Sequence, residues 1–315
     1  HNIMKIKQLI YGVASFIPGV DSLYQKFQST GGTIDARYCY SIWMRHLIMM
    51  DLSNHDTNPS VVAELGPGDS IGIGIMALLT GSSRLIALDV VQFASIENNI
   101  RVFNELVEML RGCEDIPGEN EYPKVKPYLN DYKFPHKILT KNRMDFCLKH
   151  DRIKIIRDSI MNYESSNSVI SYKAPWFDDN IITDNVVDYL ISNSVLEHVN
   201  DLELVYKSMY IWLKKGGVMG HQVDFKCHGT ASEWNGHWKY SDFLWSLIRG
   251  NRIFLLNRSY LSIHLNYINK YKFDNLKVLS TILPSNIQIE ELPERFSKMT
   301  EKDLIVSSAF IQCIK

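Results

Sequence analysis

The apolar positions of this chain fall into short runs separated by longer stretches with helical spacing. The clearest set opens with Val61-Val62-Ala63, which ends in the acid Glu64 and enters a turn carrying Gly66 and Gly68. Ile71, Ile75, Leu78 and Leu79 then recur at helical spacing up to Gly81, and a second apolar run, Leu85 to Leu88, ends in Asp89. This pattern predicts a strand, a glycine turn, an amphipathic helix and a strand with a terminal acid. Further along, Val169 to Tyr172 reads as a third strand and residues 186–199 as a fourth strand with its exit. In the helix predicted next, Asn200 is the N-cap, with Glu203 three residues on. Leu202, Val205, Met209, Trp212 and Leu213 form its apolar face, and Lys214-Lys215-Gly216-Gly217 close it. Val218 to Phe225 predicts a fifth strand, and Leu276 to Leu283 and Leu304 to Ile314 two more. Ending the last strand near Lys315 leaves no further domain expected.

The glycine turn narrows the ligand. Glycine lets backbone approach a bound group closely, and a helix N-terminus offers unpaired N–H groups to a carboxylate or phosphate. An acid closing the second strand accepts hydrogen bonds from both hydroxyls of a ribose. A dinucleotide fingerprint requires a third glycine three residues after the second, and Ile71 stands there. Glu64-x-Gly66-x-Gly68, with an acid about twenty residues later, resembles instead motif I and its partner in class I S-adenosylmethionine (SAM) methyltransferases. Leu196-Glu197-His198-Val199 after an apolar strand resembles the same family. The resemblance implies an α/β, Rossmann-like seven-stranded, mostly parallel sheet with the last strand antiparallel, and SAM as cofactor. It implies that Gly66 and Gly68 pack against the methionine part. Glu64 would support that loop or meet the ammonium through water, and Asp89 would hold the ribose. Asn193 at the end of the fourth strand, and Ala174 and Trp176 beyond the third, join the cofactor set; His198 falls on the acceptor side.

Three segments exceed the minimal fold. Residues 1–58 are expected to form an N-terminal helical lid, with a helix across Ala36 to Met50 carrying Tyr38, Trp43, Leu47 and Met50; plain docking of that helix on the sheet is the alternative. Residues 59–315 make the methyltransferase domain, with insertions near 111–165 and 226–270, the latter a second lid. Pro117, Pro123, Pro127 and Pro135 exclude one continuous helix in the first insertion. Irregular chain followed by helix over about 136–164 is predicted instead.

Composition changes this picture little. At 315 residues, 45% hydrophobic and 22% charged, the chain suits one α/β domain with additions. A net charge of −1 draws it to neither nucleic acid nor an anionic membrane. Lys124, Lys126, Lys133, Lys137, Lys141, Arg143 and Lys149 cluster in sequence, as a solvated face or a local basic patch. Asn-Pro-Pro-Tyr and Pro-Cys, the signatures of base methylation, are missing. No apolar run nears the ~20 residues that span a bilayer, and Leu9 to Pro18 is too short and interrupted for a secretory signal. Cys39, Cys113, Cys147, Cys227 and Cys313 form no C-x-x-C pair. Reduced thiols and a cytoplasmic location are expected.

The candidate chemistry follows the fifth strand, at the carboxyl edge where open α/β sheets bind ligands. Alternation puts His221 and Val223 on one face and Gln222 and Asp224 on the other, so Asp224 or His228 reaches a substrate better than His221. Methyl transfer to a hydroxyl needs its proton removed. His228 or His237 fits that role, oriented by Asp224 or Glu233. Structural loop histidines are one alternative; a divalent metal held by Asp224, His228 and Glu233 or His237 is another. Trp234 and Trp238 suit stacking on a sugar face, whereas Tyr240, Phe243, Leu244, Leu247 and Ile248 fit a lid helix. Arg249, Arg252 and Arg258 either clamp a phosphate or carboxylate or pair with surface acids. The whole pattern, ending in Asn257-Arg258, is similar to bacterial methyltransferases of surface-glycan gene clusters. That resemblance implies O-methylation of a sugar or glycan precursor, with a small-molecule or saccharide acceptor and no nucleic acid. A nicotinamide-dependent oxidoreductase and a catalytically inactive SAM-binding module are the competing readings. No feature sets an oligomeric state.

Overall fold

The computed structural model describes residues 2–17, 31–176, 179–252 and 254–315. Seven strands form one sheet: β1 (Val61–Leu65), β2 (Arg84–Leu88), β3 (Ile170–Lys173), β4 (Val187–Asn193), β5 (Leu213–Asp224), β6 (Asp274–Ile282) and β7 (Val306–Ile314). Their order is β3-β2-β1-β4-β5-β7-β6. The first five run parallel, and β7 lies antiparallel between β5 and β6. This is the Rossmann-like, seven-stranded, mostly parallel sheet implied by the resemblance. The inner strands read as unbroken apolar runs because both faces are covered. Leu85 and Ala87 of β2 face one core, and Ile86 and Leu88 face the other.

The helix after β1, α3 (Gly72–Leu79), departs from its expected amphipathic form: every residue is buried. The cause is α2 (Ala36–Leu52), which packs across it. A Cβ at Gly72 would lie 2.5 Å from Cys39 Sγ, so this crossing depends on glycine. The expected N-terminal segment therefore divides. Helix α2 is core structure, with Trp43 and Met44 fully buried. Helix α1 (Asn2–Ala14) lies apart, against α8 (Asp242–Arg249). Residues 1 and 18–30 of that segment, including Pro18, lie outside the described residues. The long crossover after α4 (Ile96–Arg111) is pinned to α2 by Arg45 Nε on the Pro127 carbonyl (3.0 Å) and by Arg37 on Glu121 (2.6 Å).

Several boundaries correct the sequence reading. Helix α7 (Leu202–Trp212) is capped by Asp201, which accepts from Leu204 N at 2.9 Å, while Glu203 pairs with Lys270. The Lys214-Lys215-Gly216-Gly217 stretch is the bulged entrance of β5, because Leu213 pairs with Val187 and Lys214 with Asp188 (2.7 Å). The helix expected over 136–164 divides into α5 (Lys141–Cys147) and α6 (His150–Met161). Helix α9 (Leu261–Lys270) precedes β6, and Leu304 sits in the short α10 (Glu301–Ile305) before β7. In the basic cluster Lys133 pairs with Asp115 and Lys141 with Asp145, and Arg143 binds the Thr80 and Thr57 carbonyls. Among the described residues no helix is long and apolar enough to cross a membrane.

Candidate functional site

The strand order reverses between β1 and β4, and in open α/β sheets ligands bind at the carboxyl ends of the strands at such a point. Gly66 has φ +62° and donates its N–H to the Leu88 carbonyl at 2.8 Å. A Cβ on it would lie 2.6 Å from Val195 Cγ2, so the β1 and β4 loops touch at a point that only glycine tolerates. The Gly68 N–H reaches Asp89 Oδ2 at 3.3 Å, and the Val90 N–H reaches Oδ1 at 2.7 Å. Both Asp89 oxygens thus take a backbone donor, and the Val91 N–H adds to them. Burial pushes the carboxyl up to about 6 against those donors.

At the N-terminus of α3 the structure corrects an expectation. Four backbone donors there are already used by protein groups: Ser70 N by Thr33 Oγ1 (3.1 Å), Ile71 N by Asn99 Oδ1 (2.9 Å), Gly72 N by Ser70 Oγ (3.1 Å) and Gly74 N by Glu64 Oε2 (3.0 Å). An acid fills the place where a bound anion would sit. Burial raises the Glu64 carboxyl to about 8. A group raised in this way contributes its stability below its unfolded value near 4.5 and loses it as pH climbs through about 8. The ligand-free protein should therefore lose roughly 2 kcal/mol between pH 6 and 8. Glu64→Gln, which keeps an acceptor for Gly74, should remove that slope. Urea unfolding at both pH values checks it; equal slopes in the two proteins would refute it.

At the end of β4, Asn193 donates to Tyr38 OH at 2.8 Å, tying that strand to α2. Burial pushes Tyr38 up to about 12. The Leu196–Val199 turn is held by Asn257, whose Nδ2 donates to the Leu196 and Val199 carbonyls at 2.7 Å each. The His198 ring lies 5.3 Å from that of His228. Burial, helped by His228, lowers His198 to about 4. His228 Nε2 sits 3.3 Å from Asp224 Oδ2, and Lys226 Nζ is 2.9 Å from the same carboxylate. Burial works to raise Asp224, but the His228 hydrogen bond and Lys226 outweigh it and hold the acid at about 2.

The structure joins Asp224 and His228, which keeps part of its ring in solvent. His237 is enclosed between Trp238 (4.9 Å) and Trp245 (6.4 Å), and burial, then Arg258, lowers it to about 3. Glu233 is half-buried in the turn that gives its carbonyl to Gly236 N (3.1 Å). Trp238 is fully buried, with Nε1 on the Arg258 carbonyl (3.1 Å); Trp234 is half-exposed, with Nε1 on the Pro284 carbonyl (2.8 Å). Beyond β3, Ala174 is half-exposed. Trp176 turns into the core, edge-on to Trp212 at 5.5 Å, while its N–H reaches the Asp89 carbonyl at 3.1 Å. Among the described residues no three His, Cys, Asp or Glu side chains are grouped to hold a metal ion.

Sequence reasoning missed the strap that follows α8. Phe254 meets Phe93 edge-on at 5.5 Å, joining the strap to the loop after Asp89. Asn251 N donates to Ser15 Oγ (2.8 Å), Arg252 to Gln8 Oε1 (2.9 Å), and Gln8 Nε2 to the Gly229 carbonyl (3.0 Å). Helix α1, the strap and the His228 loop are thus one connected cover. Its only sequence signals were Gly250 and the Asn257-Arg258 pair.

No protein-family model and no curated protein matches the chain. Similar solved structures include phosphoethanolamine N-methyltransferase 2 of Haemonchus contortus in complex with S-adenosyl-L-methionine. It is 13% identical, with a TM-score of 0.43 over 92% of this chain. The chain spans 58% of the length of that protein. Another is an S-adenosylmethionine dependent methyltransferase from Mesorhizobium loti, 12% identical with a TM-score of 0.43, covering 85% of this chain and 96% of its own.

Proposed function

We propose that the chain is a SAM-dependent methyltransferase that methylates a hydroxyl of a sugar or glycan precursor, with His228 as general base. The observation that carries the cofactor reading is the closed N-terminus of α3 beside Asp89. A dinucleotide needs free N–H donors there for its pyrophosphate. Here those of Ser70, Ile71, Gly72 and Gly74 are spent on Thr33, Asn99, Ser70 and the carboxyl of Glu64. Asp89 keeps unused lone pairs on both oxygens and suits the two ribose hydroxyls. The residues therefore fit an adenosyl group that carries no phosphate. Gly66 and Gly68 shape the loop toward its methionine end, with Asn193 opposite them and Ala174 beyond β3.

When bound, SAM supplies a methyl group on a sulfonium, an excellent leaving group. What remains for the chain is alignment, worth roughly 7–11 kcal/mol, and removal of one proton. With its Nε2–H directed at Asp224, His228 leaves Nδ1 to accept the hydroxyl proton. His198 stands beside it on the acceptor side, and half-exposed Trp234 offers a face for a sugar ring. Calorimetry with SAM and with NAD tests the reading. SAM should bind and NAD should give no heat; binding of NAD with no response to SAM would make the chain an oxidoreductase candidate instead.

A further inference from the structure

The arginines withdrawn from water divide by what holds them. Arg45 binds the Pro127 carbonyl, Arg143 those of Thr80 and Thr57, and Arg152 those of Leu78 and Ser82, each tying a loop in place. Arg258 is buried and pairs with Asp242 at 2.5 Å. Arg252 is taken up by Gln8 and the Arg249 carbonyl. Arg249 differs. The other four without a carboxylate partner each have two or more neutral acceptors, whereas Arg249, at the end of α8, donates among the described residues to the side-chain oxygen of Asn200 alone, and no ion pair joins it there. Burial alone lowers its pKa, with no carboxylate compensating.

Its position gives this cation a meaning. Asn200 lies two residues beyond His198, at most about 7 Å along the chain, and the His198 and His228 rings are 5.3 Å apart. Gly250 follows directly, and Asn251 is fixed to Ser15, so the main chain under Arg249 is held at the rim of the acceptor side. The other nearby cations are already matched, Lys226 by Asp224 and Arg258 by Asp242.

We infer that Arg249 binds an anionic group of the acceptor, a carboxylate or a phosphate, while the acceptor's hydroxyl meets His228. This inference rests on the methyltransferase reading and narrows it to acidic hydroxy compounds. A partly exposed guanidinium with a single protein acceptor among the described residues gains most from a planar or tetrahedral oxyanion, which accepts two parallel hydrogen bonds. A neutral sugar would leave that charge uncompensated.

The test titrates the full chain, first with S-adenosylhomocysteine and then with D-glucuronate, D-glucose 1-phosphate or D-glucose, by calorimetry. At least one acid should bind about 10- to 100-fold more tightly than glucose, the range of a charged hydrogen-bonded contact. The two acids separate a carboxylate from a phosphate preference. Arg249→Gln should erase the preference, and Arg249→Lys should keep part of it, with homocysteine-nucleoside affinity unchanged in both. Glucose binding as tightly as the acids, no binding of either acid, or a preference that survives Arg249→Gln would each overturn the inference. A protein that ignores the nucleoside yet prefers the acids through Arg249 would instead remove the methyltransferase reading and leave the anion site standing.

Discussion

Asp89→Ala is expected to lower SAM affinity by 10²- to 10⁴-fold and, at ordinary protein concentrations, to remove detectable binding. A ribose gives this acid two hydroxyl donors, and a hydrogen bond to a charged acceptor contributes about 1.5–3 kcal/mol. Two of them make roughly 3–6 kcal/mol. The backbone contributes as well. Gly68 N and Val90 N both point at the carboxylate, and both lose their acceptor in the variant. The glycine loop then loses its tie to β2 on the side where the ligand lies. The pH dependence has a definite sign. Burial holds Asp89 at about 6, and the anion is the form that accepts from both hydroxyls. Affinity should fall as pH drops through about 6, approaching tenfold per unit below it. Calorimetry at pH 7.5 and 5.0, with circular dichroism to confirm folding, reads both effects. An Asp89→Ala protein that binds SAM within threefold of the parent would remove Asp89 from the cofactor site.

The part of this site legible in the sequence is the part built from neighbours in the chain. Glu64, Gly66, Gly68 and Asp89 announce themselves because a strand, a turn and a strand must follow one another closely. What they do with their hydrogen bonds was not legible. The closure of the α3 N-terminus comes from Thr33 and Asn99, which reach it from α2's approach and from α4. The same distance effect turned α3 from an amphipathic helix into an enclosed one, since α2 covers the face that periodicity left open. Asn200 and Asp201 are both good capping residues, and only the observed turn selects the second. Lys214-Lys215-Gly216-Gly217 has the composition of a helix end, yet Val187 claims Leu213 for the sheet. Among the histidines, composition gave two equal candidates. Burial separates them, because a ring packed between two tryptophans has no path to a substrate proton.

That separation sets the second large effect. His228→Ala should lower kcat by 10²- to 10⁴-fold, the usual contribution of a positioned base, while SAM affinity stays within twofold. Asp224→Asn should follow His228→Ala in direction. It removes the charge that holds Nε2–H and leaves Nδ1 free, and Asp224 is ionised throughout the working range because its pKa is held at about 2. His237→Ala should behave differently. Its ring is enclosed by Trp238 and Trp245, its Nδ1 has no hydrogen-bond partner, and burial keeps it neutral to about pH 3. So weak a base takes no proton from a hydroxyl near neutrality. Removing it should open a cavity and cost about 2–5 kcal/mol of stability, with kcat per folded molecule little changed. Turnover measured beside urea unfolding distinguishes the two histidines. If His228→Ala keeps full turnover, the base is elsewhere. If His237→Ala loses a hundredfold in kcat at unchanged stability, the role passes to His237, and the enclosed ring must open during the reaction.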